Sequence, residues 1–169
     1  GKTTTKEITG EVMKNLGKIK ISTKNNNNEI GVAKTILDSN TEDKLLILEM
    51  GMRGLGQIEN LSKFSEPDIA VITNIGSSHI GLLGSKVNIA RAKCEIVKYL
   101  NPKGVVIIPS NDELLEKTLN NVWNGRVLKI SVVKNKENQN HNFDKKNFIL
   151  GLYDELRNLI IIEDKVFQI

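Results

Sequence analysis

Residues 45–56 read LLILEMGMRGLG, and this stretch indicates the fold more clearly than any other part of the chain. Its first four residues form a continuous apolar run, which is typical of a strand covered on both faces. The run ends at Glu49, and a glycine-rich turn then leads into a helical pattern that extends through Leu61. Strand, turn and helix in this order form the repeating unit of a parallel α/β sheet.

The same order of elements recurs on both sides of this stretch. Apolar strand patterns occupy residues 18–22, 69–73, 104–108 and 126–132, and helical patterns occupy residues 3–16, 29–37, 86–100 and 113–119. We therefore predict an α/β fold with a mostly parallel sheet flanked by helices. Ligands of such sheets gather at the carboxyl ends of the strands, here the stretches after residues 22, 48, 73 and 108.

The last part of the chain follows a different pattern. Residues 134–146 are polar and rich in Asn and Lys, which predicts a loop. Residues 148–153, 158–163 and 166–169 have the pattern of short strands joined by tight turns. We predict a small antiparallel β segment at the C-terminal end.

Length and composition limit the class of protein. The 169 residues suffice for one domain, and 39% apolar with 26% charged residues is typical of a globular protein. The net charge of +4 comes from scattered lysines, and only 4% of residues are aromatic, which argues against a nucleic-acid surface. The sequence has no membrane-spanning run, no signal-peptide pattern and one cysteine, Cys94. These features predict a cytoplasmic protein.

Both ends of the sequence lie within structured patterns. The chain opens with Gly1 at a Gly-Lys-Thr triplet, which normally follows a strand, and it closes in the strand-like residues 167–169. We interpret the chain as one domain, residues 1–169, of a longer protein that is truncated at both ends.

The Gly-Lys-Thr triplet suggests a phosphate site. Gly1, Lys2 and Thr3 precede a helix, as in the second half of a phosphate-binding loop. Lys2 would contact phosphates and the Thr3 hydroxyl would bind Mg²⁺, while amides at the helix start favour anions. The alternative is that Gly-Lys-Thr is a common triplet without this role.

Two further polar residues follow apolar strands. Glu49 stands at a strand end from which a carboxylate could reach a metal ion, and His79 lies in the loop after the next strand. The alternatives are a solvated loop carboxylate and an exposed histidine.

Lys93 lies on an otherwise apolar helix face. Its position is four residues after Ile89 and three and four residues before Ile96 and Val97. An unpaired buried ammonium is unfavourable, so such a lysine either extends to solvent or has a lowered pKa and can react as a neutral amine.

Five motifs in fixed order carry a family resemblance. They are GKTTTKE, NNNNEIG, LEMGMRGLGQI, ITNIGSSHIGLLGS and ARAKCEI, all within residues 1–120. This order resembles the Mur ligase family, and within it the MurF type. The resemblance implies the central, P-loop-like ATP-binding domain of an ATP-dependent amide ligase.

The resemblance also implies roles for single residues. ATP would be bound by Gly1, Lys2, Thr3 and Thr4, and Mg²⁺ by Thr3, Glu49, His79 and a carbamate formed on Lys93. Lys2, Glu49, His79 and Lys93 would be catalytic, while Asn25, Asn27 and Asn28 would lie near the nucleotide-linked substrate.

The implied reaction belongs to peptidoglycan synthesis. ATP would phosphorylate a UDP-MurNAc-peptide carboxylate, and D-alanyl-D-alanine would then attack the acyl phosphate to give the amide, ADP and phosphate. The other partners would be the N- and C-terminal domains of the same chain, which are missing here.

The sequence departs from the family pattern at four positions, and three other interpretations stay open. Lys24 and Cys94 stand where glycine is usual, Ala33 where proline is frequent, and Gly81 where an acidic residue is common. The alternatives are a related ligase of the folylpolyglutamate or cyanophycin synthetase type, a motor or transport P-loop ATPase, and a fragment that folds but is inactive alone.

Overall fold

The computed structural model describes residues 1–23, 26–133, 147–154, 159–162 and 165–168. The helices in these ranges are α1 (Lys2–Met13), α2 (Glu29–Leu37), α3 (Gln57–Ser65), α4 (Ile80–Leu83), α5 (Lys86–Cys94) and α6 (Glu113–Asn120). The strands are β1 (Ile19–Ile21), β2 (Leu45–Ile47), β3 (Ile69–Val71), β4 (Val105–Pro109), β5 (Arg126–Val133), β6 (Phe148–Asp154), β7 (Leu159–Ile162) and β8 (Lys165–Gln168). Short 3-10 helices at Lys14–Leu16 and Glu95–Tyr99 follow α1 and α5.

The strands form two sheets. β1 and β2 pair in parallel, with Ile19 opposite Leu45. The second sheet has the order β3-β4-β5-β6-β7-β8, and its first four strands are parallel. β6, β7 and β8 then pair antiparallel, so the C-terminal strands extend this sheet rather than forming one of their own. The predicted fold of parallel strands flanked by helices is confirmed.

Most of the predicted elements agree with the structure, and two differ in detail. The pattern over residues 86–100 is split into α5 and a 3-10 helix, and the loop over residues 74–85 contains the single turn α4. The loop predicted over residues 134–146 lies outside the described residues. None of the helices described is long and apolar enough to span a membrane.

Side-chain caps begin three of the helices. Asn28, Ser85 and Asp112 precede α2, α5 and α6, and each accepts a hydrogen bond from a backbone N–H of the first turn. Such caps satisfy amide groups that have no partner inside the helix. The cap residues therefore set where each helix begins after its loop.

The core consists of two clusters that share neighbours. One packs β3 and β4 against α5 and α6, and the other joins α2, α3, α4 and α5. Ile75 and Ile96 pack against both clusters. The first cluster contains Ala70, Ile72, Cys94, Val97, Leu100, Val106, Ile108, Leu115 and Leu119. The second contains Val32, Met52, Ile58, Leu61, Leu83, Ile89 and Ala92.

Two apolar surfaces that the patterns place inside are exposed. In β3, Ala70 is buried, whereas Ile69 and Val71 are 55% and 46% exposed, so one face of this strand is uncovered within the described residues. On α1, Ile8 and Val12 are 59% and 62% exposed. Apolar residues at strand and helical spacing are therefore exposed on β3 and α1 of this chain.

Candidate functional site

The start of α1 offers amide groups and a lysine to solvent. Gly1 precedes the helix, no side chain caps its first turn, and Lys2, Thr3 and Thr4 are exposed. A Cβ placed on Gly1 would lie 3.7 Å from Thr73 Oγ1, so α1 begins beside the residues that follow β3. The uncapped amides and the Lys2 ammonium favour an anion at this helix end.

Lys6 anchors α1 from its buried side. Its side chain is only 3% exposed, and Nζ donates to the Ser22 carbonyl at 2.6 Å and pairs with a Glu7 carboxylate oxygen at 2.8 Å. The Ser22 hydroxyl in turn accepts a hydrogen bond from the Glu49 backbone N–H at 3.0 Å. This chain of bonds ties the start of α1 to the ends of β1 and β2. Lys6 was not among the predicted site residues. It lies one helical turn before Gly10, and both are buried positions of α1.

Glu49 is buried rather than solvated. The residue is 5% exposed, and its Oε1 accepts from Asn27 Nδ2 at 3.1 Å. Among the described residues, Oε2 is a buried side-chain oxygen with no hydrogen-bond partner. A buried carboxylate oxygen without a partner is costly, and such an atom commonly faces an ion or a water molecule. The donor chemistry fits a hard divalent cation such as Mg²⁺.

The asparagine-rich loop supports this carboxylate. The side-chain amide of Asn27 donates to Glu49. The backbone carbonyl of Asn27 accepts a hydrogen bond from the Gly51 N–H at 2.7 Å. Asn28 caps α2 by accepting from Gly31 N at 2.9 Å. Asn25, the third predicted substrate residue, lies outside the described residues.

Lys93 is half-buried and faces the loop after β3. Its Nζ donates to the Asn74 carbonyl. Burial lowers the pKa of the Lys93 amine, the nearby Lys2 ammonium lowers it further, and Asp112 opposes both effects. The positive charge of Lys2 thus disfavours the charged form of Lys93.

Asp112 accepts a hydrogen bond from the loop after β3, the same loop that Lys93 contacts. One of its oxygens accepts from Ile75 N at 3.1 Å, and the other accepts from Leu115 N at 3.0 Å. The loop after β3 is thereby joined to the start of α6. Asp112 was not among the predicted site residues, although an aspartate directly before a helical pattern is typical of a helix cap.

His79 lies on the loop after β3, immediately before α4. It is exposed and begins α4 with a φ of 68°, a left-handed conformation that side chains rarely adopt. In the part of the chain that the structure describes, no hydrogen bond joins its ring to Glu49 or Lys93. The structure thus bonds Asn27 to Glu49, and it bonds Lys93 to the loop after β3 that also carries His79.

The described side chains do not form a complete metal cage. No group of three or more His, Cys, Asp and Glu residues in this part of the chain is placed to hold an ion. Mg²⁺ usually binds through one or two carboxylates together with water and substrate phosphates. One free carboxylate oxygen and an anion-favouring helix start are consistent with such shared coordination.

Fold and site together define a class of protein. It is an α/β protein whose helix start and lysines suit an anion, and whose buried carboxylate suits a divalent cation, at loops that follow parallel strands. A family profile described as "Mur ligase middle domain" matches residues 1–159. The chain belongs to the Mur ligase family.

Relatives with curated names agree with this assignment. The UDP-N-acetylmuramoyl-tripeptide–D-alanyl-D-alanine ligase of Synechocystis is 43% identical over 128 residues, which are 76% of this chain and 28% of the relative. The ligase of the same name from Bacillus subtilis is 42% identical over 116 residues, 69% of this chain and 25% of the relative. The chain therefore spans about a quarter of the length of these relatives.

Solved structures show the same fold. A crystal structure of MurF from Acinetobacter baumannii aligns with a TM-score of 0.77 and 27% identity, over 99% of this chain and 34% of that one. MurF ligase from Thermotoga maritima in complex with ADP aligns with a TM-score of 0.71 and 28% identity, over 99% of this chain and 37% of that one.

Proposed function

We propose that the intact protein is an ATP-dependent amide ligase that joins D-alanyl-D-alanine to a UDP-MurNAc-peptide and releases ADP and phosphate. The names of the relatives support the substrates, and the ADP of the Thermotoga structure supports the nucleotide. The observation in this chain that carries the proposal is the unpartnered, buried Oε2 of Glu49. It is a metal-binding group of the kind that a Mg²⁺-dependent phosphoryl transfer uses, and packing alone does not explain it.

In this proposal the chain's residues act by positioning and charge. The start of α1, from Gly1 to Thr4, would bind the ATP phosphates, with Lys2 neutralising their charge. Mg²⁺ would be held by Thr3, Glu49, His79 and Lys93 as its carbamate, and it would neutralise charge that develops on the phosphates. Asn27 would hold Glu49 Oε1 so that Oε2 stays free, and Asn25 and Asn28 would border the nucleotide-linked substrate.

The carbamate explains why a lysine faces a phosphate site. The Lys93 ammonium would lose one proton to give the neutral amine, which would add to CO₂ and lose a second proton, so that a cation becomes a carbamate anion. The lowered pKa of Lys93 supports this step, because only the neutral amine is nucleophilic. The Asn74 carbonyl would keep Nζ pointed toward the loop after β3.

The reaction would then proceed in two substitutions. The carboxylate of the UDP-MurNAc-peptide attacks the γ-phosphorus of ATP, and ADP leaves. The amine of D-alanyl-D-alanine attacks the resulting acyl carbon and loses a proton, and phosphate leaves. Because the site offers binding groups rather than a covalent nucleophile, its contribution is to align these groups and to stabilise charge.

The test is an assay of the intact enzyme with each substrate omitted in turn. ADP formation should require both the UDP-MurNAc-tripeptide and D-alanyl-D-alanine, and mass spectrometry should detect the pentapeptide product. Formation of ADP with a folate and glutamate, or with an aspartate polymer and arginine, would instead favour the other ligase types. We also propose that the 169-residue chain is inactive alone, since the residues that match the named relatives cover only 28% and 25% of those proteins.

A further inference from the structure

Glu95 is a carboxylate that the proposed reaction does not use. It opens the 3-10 helix that directly follows α5, two residues after Lys93. Its Oε1 accepts a hydrogen bond from the Gly56 backbone N–H at 2.7 Å, and its Oε2 accepts one from the Glu59 N–H at 3.3 Å. Both contacts cross 36 or more residues of sequence, so they join separate elements.

The beginning of α3 lacks a cap of its own. Gly56 precedes this helix with a φ of 81°, and no local side chain accepts its first amides. Amides of a first helical turn have no partner within the helix, and a negative charge there is favourable. Glu95 supplies the missing acceptors from another element.

The turn before α3 is anchored in its first half, where Met52 is buried in the core and the Arg53 N–H donates to Gln57 Oε1 at 2.6 Å, and it has fewer contacts at its end. Residues 51–56 include three glycines, and a Cβ on Gly54 or Gly56 would meet nothing within 4 Å. Glycine-rich backbone is conformationally free unless it is bonded. The near end of the turn is bonded through Gly51 N to the Asn27 carbonyl, and Glu95 bonds the far end.

We propose that Glu95 is a positioning residue that sets the place of Glu49 relative to Lys93. The turn begins two residues after Glu49, and Glu95 lies two residues after Lys93 on one continuous segment, so the two bonds connect the carboxylate to the amine. This inference rests on the proposed function, in which both groups serve one metal–nucleotide complex.

The packing of α3 does not depend on Glu95. Ser62 Oγ donates to the Ile96 carbonyl at 2.6 Å, which is a second bond between α3 and the 3-10 helix. Ile58 and Leu61 also pack with Ile89 and Ala92 in one core cluster. Loss of the Glu95 carboxylate should therefore loosen the end of the glycine turn at Gly56 without separating the two helices.

The test compares Glu95→Ala and Glu95→Gln with Ser62→Ala in the full-length enzyme. Ser62→Ala is the matched control, because it removes a bond between the same two elements away from the glycine turn. We expect Glu95→Ala to reduce kcat about 10- to 100-fold and to raise the Mg²⁺ concentration that gives half-maximal rate, with little change in the KM for D-alanyl-D-alanine. Glu95→Gln keeps an acceptor for Gly56, so it should recover part of kcat.

The control separates positioning from stability. Ser62→Ala should lower the Tm and leave kcat and the Mg²⁺ dependence near their wild-type values. The proposal is overturned if Glu95→Ala and Ser62→Ala lower the Tm alike and neither changes kcat or the Mg²⁺ dependence. If Glu95→Ala does not fold, the same comparison with Glu95→Gln decides the matter.

Failure of the proposed function gives a different result. In that case the wild-type enzyme itself forms no amide from the two named substrates. The Mg²⁺ concentration needed for ADP to raise the Tm then replaces the kinetic readout. An unchanged concentration in Glu95→Gln and Glu95→Ala would overturn the positioning role.

Discussion

Burial acts in opposite directions on Lys93 and Cys94. It lowers the pKa of the Lys93 amine, because the charged form loses its hydration, and it raises the pKa of the Cys94 thiol to about 12. The thiol therefore stays protonated at neutral pH and is a core residue rather than a nucleophile. The amine, in contrast, has a larger neutral fraction at a given pH than an exposed lysine.

The carbamate role can be tested through Lys93. Lys93→Ala and Lys93→Arg should both abolish ligation by the intact enzyme while leaving its circular dichroism spectrum unchanged, because arginine keeps the cation but has no neutral amine. In wild-type enzyme depleted of CO₂, bicarbonate should restore activity. The restoration should strengthen as the pH rises through the lowered pKa of Lys93. Near-normal turnover in either variant would remove the carbamate role.

The lowered pKa of Lys93 also makes the free energy of unfolding depend on pH. Between the lowered pKa of Lys93 in the folded state and its ordinary value of 10.5, the unfolded chain binds more protons than the folded one. The contribution of Lys93 to the free energy of unfolding therefore rises with pH through this window and is lost as the pH falls through the lowered pKa.

Glu49 should lower the stability of the metal-free protein and contribute to metal binding. In the absence of Mg²⁺, Glu49→Gln should raise the free energy of unfolding of the intact protein by about 1 kcal/mol, because an unpartnered buried carboxylate oxygen is replaced by a neutral amide. In denaturant titrations with Mg²⁺ and ADP, the wild type should gain stability and the variant should gain much less. Glu42→Gln, at a side chain 79% exposed, is the control and should change neither quantity. A variant less stable than wild type without metal would contradict this account.

At the scale of elements, α1 is attached through its polar and small residues. Lys6 and Gly10 are its buried positions, whereas Ile8 and Val12 point outward. A Cβ on Gly10 would lie 2.2 Å from Ile21 Cδ1, so the helix lies close enough to β1 that any side chain at this position would displace the end of Ile21. Because Gly10 has no side chain, α1 can lie close to β1. This distance also determines how far the start of α1, with Lys2, lies from the strands.

This close approach predicts coupled mutations. Gly10→Ala should destabilise the protein by about 1 kcal/mol or less, because the cost of displacing the end of Ile21 is partly offset by the higher helix propensity of alanine. Ile21→Val deletes Cδ1, so the double variant should be less destabilised than the two single changes summed. Denaturant unfolding of the four proteins measures the coupling. Simple additivity would show that the two side chains do not compete for the same space.

At the scale of the whole molecule, the site lies where two core clusters meet. Ile75 and Ile96 pack against both clusters, and each lies beside a residue that braces the site. Asp112 holds the backbone of Ile75, and Glu95 immediately precedes Ile96. Relative movement of the clusters would therefore change the distance between the loops after β2 and β3.

Nucleotide binding should stabilise the molecule as a unit. At one hundred times its Kd, ADP with Mg²⁺ should raise the free energy of unfolding of the intact protein by about 2.7 kcal/mol. Lys2→Ala should require more nucleotide for the same gain, and the 169-residue chain should gain less than the intact protein. Calorimetric unfolding at graded nucleotide concentrations checks both. Equal stabilisation of Lys2→Ala and wild type would exclude Lys2 from the phosphate site.

The sequence by itself determined the order of elements and the loops that carry the site. Apolar runs and helical spacing are local properties, so β2, β3, β4 and α2 lie where the patterns place them. The position of Glu49 at a strand end and of Lys93 on an apolar helix face followed from the same spacing. The five ordered motifs were sufficient for the family.

Only the tertiary structure decided which groups meet. The bonds from Asn27 to Glu49 and from Gly56 to Glu95 span 22 and 39 residues of sequence. Lys2, at the start of the chain, lowers the pKa of Lys93 on α5. It also decided that α1 packs through Lys6 and Gly10 and that Glu49 keeps one oxygen free. The physical reason is that hydrogen bonding and desolvation act over about 3 Å in space, a distance that residue spacing along the chain does not specify.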